Sequence, residues 1–415
     1  IAAAGRRRGT VLQNGAGRTS VEIMNYRSAL AAVALLLGQG AAEGLAQQSE
    51  AIAWVGARIV PVDGPEIEDG VLIVEGKTIA AVGRRDDVKI PRDARQIAAA
   101  GKVILPGLVC THSHIGGFGG ADSSGPIQPG VRVFDSINVH DPGFRRALAG
   151  GLTTLNIMPG SGHLSSGRTS YVKLRYWDDH PRRVEDLFLR DDAGNPLGGL
   201  KMANGTNSMS AGDPFPGTRA KSAYLDRQEF IRAREYAEKI QEAGDDASQL
   251  PPRDLHLETL VEGRRQRRVV HHHTHRHDDI MAVLRLAREI DFRVVLHHVS
   301  AGWRVAEEIA KAGVPCSIIL LDSPGGKLEA RYLLPKNARM LEEAGVRCAF
   351  HTDDPIIDSR YFLRAGAMAV RSGMSREGAL EGLTLAGAEM LDLQDRVGSL
   401  TPGKDADLAI LERHY

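Results

Sequence analysis

Residues 105–114 read LPGLVCTHSH, an apolar run that ends in two histidines separated by one residue. In a β-strand, residues i and i+2 point to the same face, so His112 and His114 converge where the strand ends. The run has no polar alternation, which is typical of a strand buried on both faces, as in a parallel sheet or barrel. We interpret this stretch as the first strand of a barrel. Two neutral imidazoles aimed at one point suggest a metal ion.

Three later apolar runs also end in side chains that can bind a metal ion. They lead into His273 and His275, into His297 and His298, and into His351, Asp353 and Asp354. An isolated pair of histidines is often an ordinary feature of a core or a loop. Four strand ends with nitrogen or oxygen ligands favour a shared metal site instead.

Strand-like runs alternate with helical patterns through the middle of the chain, and this alternation predicts βα units. Strands are expected near residues 106–112, 152–158, 169–175, 198–203, 268–273, 293–298, 314–319 and 347–353. Helices are expected over 278–290 and 303–312, and long loops over 204–219 and 245–268. Eight parallel strands predict an α/β fold of the (β/α)8 TIM type, whose active site lies at the C-terminal strand ends.

Both ends of the chain carry additional β patterns. Residues 51–104 contain short β-rich runs with a tight hairpin expected at Glu75-Gly76-Lys77, and residues 397–411 close with another apolar strand. We expect a small β-sandwich built from residues 47–104 and 396–415, flanking a barrel of residues 105–395. The chain stops just after its last strand, so the sequence leaves open that the sandwich is truncated at the C-terminus.

Residues 24–46 have the layout of a secretory signal peptide. Residues 24–27 give a positively charged start, residues 29–37 a short apolar stretch, and residues 44–46 a cleavage site with small residues. The apolar stretch is too short to be a stable membrane anchor. We expect export to the periplasm or outside the cell, with residues 1–23 as upstream or disordered sequence. An ordinary apolar helix is the alternative.

The composition argues against a general nucleic-acid-binding role. Lys plus Arg and Asp plus Glu both total 52, so no net basic charge attracts phosphate. A small molecule or a short peptide is the expected partner, and a homo-oligomer remains open. The three cysteines, Cys110, Cys316 and Cys348, lie in or beside apolar runs and are expected to be buried small side chains.

Three segments together resemble the metal-dependent amidohydrolase superfamily. They are residues 103–109 leading to His112-Ser113-His114, residues 149–154 with the sequence AGGLTT, and residues 398–410. The resemblance covers nearly all of the chain from about residue 52. Residues 141–151 and 199–203 further resemble a branch of imidazolonepropionase-related or dipeptidase-like members. Where that branch tends to carry Gly-Glu-Asn-Pro, residues 205–208 read GTNS, a departure that bears on substrate specificity.

The resemblance implies a two-metal site and assigns its ligands by strand. In that assignment the more buried ion is held by His112, His114 and Asp353, and the second ion is held by His273 and His298. A carboxylated Lys201 bridges the two ions. Asp353 also moves the proton. Lys173 is the alternative bridge, and without carboxylation a single ion is expected. The ligand types suit zinc, although iron and manganese remain open.

The segment 271–277 is unusually rich in histidine. His275 is the alternate for His273 as a ligand, and it is also a candidate to polarise the substrate carbonyl. His271, His272, His277, His297 and His351 exceed what a two-metal site needs. They are expected to donate hydrogen bonds to the metal ligands or to line the rim of the metal site.

The resulting hypothesis is an amidohydrolase that cleaves amide or peptide C–N bonds of a small substrate with a metal-activated hydroxide. Dipeptides and N-acyl amino acids are the expected substrates. A one-metal enzyme that opens an imidazolone or cyclic amidine ring, or a deaminase, is the first alternative. A barrel that has lost its chemistry and serves as a binding protein is the second.

Overall fold

The computed structural model describes residues 51–412 except 118–121, 123, 177–179, 211, 213 and 321–326. These residues belong to one compact unit, Glu50–Tyr415. The expected leader and signal peptide, residues 1–46, lie outside the described residues.

The first sheet combines strands from both ends of the chain. Its members are β1 (Ile52–Ile59), β2 (Ile67–Glu75), β3 (Thr78–Arg84), β4 (Arg95–Ala98), β5 (Val103–Pro106) and β15 (Leu408–Leu411). The order is β15-β5-β1-β2-β3, and β4 pairs with β1. Glu75 lies opposite Thr78, so Gly76 and Lys77 form a two-residue turn and the predicted hairpin is confirmed. Gly76 has a φ of +61°, a backbone conformation that glycine adopts without a steric cost.

Nine further strands build the rest of the β structure that the coordinates describe. They are β6 (Leu108–Ser113), β7 (Leu152–Ile157), β8 (Ser165–Arg168), β9 (Ser170–Lys173), β10 (Leu200–Ala203), β11 (Val270–Thr274), β12 (Val294–His298), β13 (Cys316–Ile318) and β14 (Cys348–Phe350). One sheet has the order β6-β7-β9, and another has the order β14-β13-β12-β11-β10-β8. Strands β10 to β14 run parallel, as do β6 and β7.

The expectation of eight parallel strands is wrong at the third position. The strand predicted at 169–175 corresponds to β9, but β9 pairs antiparallel with β7, and β8, which directly precedes it, pairs antiparallel with β10. Only residues 158–164 separate β7 from β8. A parallel connection needs a crossover of about a dozen residues or more, so the chain returns in the opposite direction.

The ends of the first and last parallel strands are joined by backbone hydrogen bonds. The N–H of Asp353 donates to the carbonyl of His112 over 3.1 Å, and the N–H of His114 donates to the carbonyl of Asp354 over 3.0 Å. The segment that carries His112 and His114 is therefore in direct contact with the segment that carries Asp353.

Helices follow most of the parallel strands. They are α1 (Pro142–Ala149), α2 (Arg219–Ala243), α3 (Leu255–Arg264), α4 (His277–Ile290), α5 (Ala306–Lys311), α6 (Asn337–Glu343), α7 (Phe362–Arg371), α8 (Arg376–Leu383) and α9 (Leu385–Met390). The helix predicted over 278–290 is confirmed by α4, which buries Ile280, Val283 and Leu286. The helix predicted over 303–312 is shorter, because a single 3-10 turn over Gly302–Arg304 precedes α5.

Helix α3 lies inside the stretch predicted to be a long loop, 245–268. The Asp254 carboxylate caps the helix by accepting hydrogen bonds from the N–H groups of His256 and Leu257. Leu257 and Leu260 then pack into the same core as Phe230 of α2. The high charge of the segment obscured these apolar positions at helical spacing.

Among the described residues, no helix combines the length and the apolar character that a membrane crossing requires.

Candidate metal centre

Strand β6 presents the first two predicted ligands to a common point. The Nε2 atoms of His112 and His114 lie 3.1 Å apart. Asp353 Oδ1 lies 3.2 Å from the first and 2.9 Å from the second. His114 Nδ1 lies 2.7 Å from the carbonyl oxygen of Met158, which can only accept, so this nitrogen carries the proton of a neutral ring. The His114 Nε2 lone pair then faces a carboxylate, and a cation between the two relieves their repulsion.

A second group of imidazoles forms where β11 and β12 end. His273, His275 and His298 each offer one ligand atom, and these atoms lie within 4.8 Å of one another. The parallel register places Thr274 opposite His298, which brings the two strand ends together. Both ring nitrogens of His273 and the Nε2 atoms of the other two have no hydrogen-bond partner among the described residues. Buried polar atoms usually have partners, so these unpartnered nitrogens indicate a ligand.

The two groups are continuous with each other. His112, His298 and Asp353 form a further set whose ligand atoms also lie within 4.8 Å. We call the residues His112, His114, His273, His275, His298 and Asp353 the strand-end cluster. All six were predicted from the sequence as ligands or catalytic groups, and the structure brings them together. Their donor set, imidazole and carboxylate, is the one that zinc and related transition ions prefer.

Burial favours the neutral form of four imidazoles in the strand-end cluster. It lowers the pKa of His112, His273 and His298 well below the usual value, and that of His275 to about 3. Neutral rings retain the lone pair that a metal ion needs. The pKa of Asp353 lies below its usual value: burial tends to raise it, but a hydrogen bond from His114, in the protonated form that the ring takes when no metal ion is bound, outweighs burial.

Lys201 lies at the position where the resemblance implies a bridge. It is completely buried on β10, and its Nζ lies 3.4 Å from His112 Nε2 and 3.1 Å from Met158 Sδ. Burial lowers the pKa of Lys201 to about 7. A substantial fraction of the amine is therefore neutral near pH 7, and a neutral amine is the form that reacts with electrophiles.

Lys173, the alternative bridge, lies in different surroundings. Its ammonium pairs with the carboxylate of Asp405 and lies 3.2 Å from Asp407 Oδ2. We call these three residues the sheet junction, because they join β9 to the segment that leads into β15. The structure therefore does not support Lys173 as the bridge.

Three further histidines lie beside the strand-end cluster. His271, His297 and His351 are completely or almost completely buried, and none lies at the solvent-exposed rim. Ring centroids of His297 and His351 lie 5.0 and 4.9 Å from that of His112. Strand alternation predicts that His297 and His298 point to opposite faces. His298, however, has a φ of +70°, so the strict alternation of an extended strand is broken there and both rings lie near His112.

Comparisons with known proteins place the chain in a family. A profile described as "Amidohydrolase family" matches residues 199–415, slightly more than half of the chain. The amidohydrolase tasK of Hapsidospora irregularis is 26% identical over 398 residues, which cover 87% of this chain and 40% of that protein. The chain thus spans well under half the length of this relative. An imidazolonepropionase of Shouchella clausii is 24% identical over 389 residues, covering 83% of this chain and 80% of that protein.

A solved structure gives a stronger likeness. The crystal structure of an amidohydrolase from Thermotoga maritima MSB8 superposes with a TM-score of 0.79 and 31% identity, covering 88% of this chain and 94% of that one. The likeness supports a TIM-type barrel fold with mixed sheets. The chain therefore belongs to the amidohydrolase family, a family of enzymes that act on carbon–nitrogen bonds.

Proposed function

We propose that this chain is a metal-dependent hydrolase that cleaves the amide or peptide C–N bond of a small substrate, such as a dipeptide or an N-acyl amino acid. The observation that carries the proposal is the convergence of His112 Nε2, His114 Nε2 and Asp353 Oδ1 within 3.2 Å. Next to them, both ring nitrogens of His273 and the Nε2 of His298 have no partner among the described residues. We further propose zinc as the metal, with two ions if Lys201 is carboxylated and one if it is not.

A divalent ion bound at this site would supply a nucleophile at neutral pH, since such an ion lowers the pKa of water from 15.7 to about 7. Asp353 is suited to accept the proton of the attacking water, because its lowered pKa keeps it ionised at neutral pH. It would then return that proton to the leaving nitrogen. One C–O bond forms, one C–N bond breaks, and the products are a carboxylate and an amine.

His275 is proposed to polarise the substrate carbonyl. Its Nδ1 lies 2.7 Å from Ser300 Oγ, and its Nε2 has no partner among the described residues. If the Ser300 hydroxyl donates to Nδ1, the neutral ring carries its proton on Nε2 and can donate to a developing oxyanion. If Nδ1 donates to Ser300 instead, Nε2 is a metal ligand. The orientation of this one hydrogen bond distinguishes the two roles.

The experiment that tests the proposal combines metal analysis with a substrate screen. The metal-loaded chain is screened against dipeptides, N-acyl amino acids and cyclic ureides. Asp353→Asn is expected to retain most of the metal but to lose turnover, whereas Asp358→Asn, which removes a charge that pairs with Arg360 on the same loop, is expected to retain both. Near wild-type turnover by Asp353→Asn would remove Asp353 from its role. Metal binding without turnover on any of these substrates would favour a binding protein.

A one-metal ring hydrolase or deaminase is the second candidate function. It is favoured by the similarity to imidazolonepropionases over most of both chains. Two ions per chain by elemental analysis would count against it, whereas one ion together with turnover of a cyclic ureide would support it.

Further proposals concern the setting of the enzyme. We propose export directed by residues 24–46, a β-sandwich formed by residues 47–104 and 396–415, and closure of residues 105–395 into a complete barrel. The pairing of β15 with β5 supports the shared domain, and the hydrogen bonds between the ends of β6 and β14 support closure. A homo-oligomer is compatible with this arrangement.

A further inference from the structure

Two histidines that the proposed hydrolysis does not use complete a third group of possible ligands. His297 and His351 each offer a ring nitrogen that lies within 4.8 Å of the other and of one in His112. His297 and His112 are completely buried, and His351 is 1% exposed. This group differs from the sets expected from the family resemblance, which use His112 with His114 and Asp353, or His273 with His298.

The ring of His297 is oriented by a buried chain of hydrogen bonds. Its Nε2 lies 2.9 Å from His271 Nδ1, and His271 Nε2 lies 2.9 Å from the hydroxyl of Tyr171. When His297 Nε2–H donates to His271 and His271 Nε2–H donates to Tyr171, a lone pair remains on His297 Nδ1. That atom is buried and has no partner among the described residues. A histidine with one N–H held by an acceptor and the other nitrogen free has the arrangement of a metal ligand.

The ring of His351 is held in a comparable way. Its Nδ1 lies 2.7 Å from Ser317 Oγ, and this oxygen lies 2.5 Å from Thr111 Oγ1. When Nδ1–H donates to Ser317, the lone pair of His351 lies on Nε2, which is 3.2 Å from His298 Nδ1. His112 Nδ1 also has no partner in the described part of the chain. Three buried rings therefore meet here: His112 and His297 each have a ring nitrogen without a partner among the described residues, and His351 Nε2 faces the imidazole of His298.

We propose that His112, His297 and His351 form an additional site for a divalent transition-metal ion, in which His271 and Tyr171 orient His297, and Ser317 orients His351. Three imidazoles without a carboxylate select ions such as zinc, cobalt or nickel over magnesium or calcium. His112 also belongs to the set with His298 and Asp353. If both sites were filled at once, each ring nitrogen of His112 would hold one ion, and the ring would have to lose its remaining N–H proton.

The site does not depend on the substrate, so it is tested by metal binding rather than by turnover. The full chain is freed of metal, loaded with Co²⁺, separated from free metal by gel filtration and analysed for cobalt. His297→Gln is expected to hold one ion fewer per chain than the wild type. His256→Gln, which removes an exposed histidine at the start of α3, is expected to match the wild type. Equal cobalt content in the wild type and His297→Gln would overturn the proposal.

Tyr171→Phe tests the orienting chain without removing a ligand. Loss of such a supporting hydrogen bond typically weakens metal binding by about 10- to 100-fold. In a Co²⁺ titration, the affinity for the last ion to bind should therefore fall by that factor. Unchanged affinity for every ion would contradict the role given to Tyr171 and His271.

Anomalous diffraction from Co²⁺-soaked wild-type crystals makes the test independent of how the variants fold. We expect a peak that is within bonding distance of His112, His297 and His351. Peaks confined to the strand-end cluster would refute the additional site and leave the proposed hydrolase intact. A peak at the additional site in a chain without hydrolase activity would support this site and count against the proposed function.

Discussion

Two buried lysines show that the same side chain has a structural role where carboxylates surround it and a chemical role where they do not. Lys173, at the sheet junction, is paired with the carboxylates of Asp405 and Asp407. Lys201, beside the strand-end cluster, forms no ion pair with a carboxylate in the described part of the chain, and burial lowers its pKa to about 7. A buried amine with dedicated counter-ions stabilises the fold. A buried amine without them is available for chemistry.

The largest expected effect comes from Lys201→Met, which keeps the length of the side chain and removes the amine. If a carboxylated Lys201 bridges two ions, the variant should lose one ion and turnover should fall by roughly 100-fold or more, since a metal supplies several kcal/mol to the transition state. Elemental analysis and steady-state rates measure both effects. Full metal content and full turnover would show that Lys201 has only a structural role.

Lys173→Met should have the opposite profile, with turnover and metal content maintained and stability lost. Removing one partner of a buried ion pair leaves the carboxylates uncompensated, which costs about 3 kcal/mol in the free energy of unfolding. Urea denaturation followed by circular dichroism measures this loss. A variant as stable as the wild type would contradict the role of the sheet junction.

The deficit of Lys173→Met should also depend on pH. Burial raises the pKa of Asp407, and the charge of Lys173 opposes that rise. Without the lysine, the folded-state pKa rises further above the unfolded value of about 3.9. A raised carboxyl pKa costs stability above the unfolded pKa, and the cost disappears below it. We therefore expect a larger deficit at pH 8 than at pH 5, and a deficit that grows on acidification would be inconsistent with this cause.

Ser300→Ala tests which role His275 has in the strand-end cluster, because it removes the partner of His275 Nδ1 and leaves the ring in place. If His275 donates to the substrate carbonyl, kcat should fall by about tenfold while metal affinity is unchanged. If His275 is a ligand, metal affinity should weaken by about 10- to 100-fold instead. A metal titration and rates at saturating metal separate the two, and no change in either would leave Ser300 without a role.

Asp226→Asn is expected to have the smallest effect, and it extends the comparison to a buried acid that forms no ion pair within the described residues. Asp226 is 3% exposed in α2, its Oδ1 has no hydrogen-bond partner in that part of the chain, and burial raises its pKa well above the usual value. A neutral amide avoids the cost of burying the charge, so the variant should be about 1 kcal/mol more stable at pH 8. The gain should shrink towards pH 4, where the wild-type carboxyl is protonated. Thermal denaturation at the two pH values checks this, and a less stable variant at pH 8 would contradict it.

The sequence was informative wherever one short-range rule decided the outcome. Strand geometry predicted that His112 and His114 converge, and the family resemblance assigned Asp353, His273, His298 and Lys201. The structure brings these residues together. The antiparallel third position was also within reach, because the strands predicted at 152–158 and 169–175 leave only residues 159–168 between them, which are too few for a crossover. It was missed because the count of apolar runs matched eight strands.

The features that the sequence did not reveal depend on the path of the backbone or on distant partners. The burial of both His297 and His298 near His112 depends on the positive φ of His298. No local sequence pattern predicts this backbone conformation. The role of Lys173 depends on Asp405 and Asp407, which are more than two hundred positions away in the chain. Residue type alone could not distinguish this lysine from Lys201.

We propose that imidazoles from β6, β11 and β12 bind metal together with the carboxylate of Asp353. The most direct measurement is the metal content of the purified chain compared with that of a variant carrying both His112→Asn and His298→Asn, with circular dichroism as the control for folding. We predict that the wild type retains at least one transition-metal ion per chain and that the folded double variant retains none. A folded double variant with the full metal content of the wild type would contradict the account.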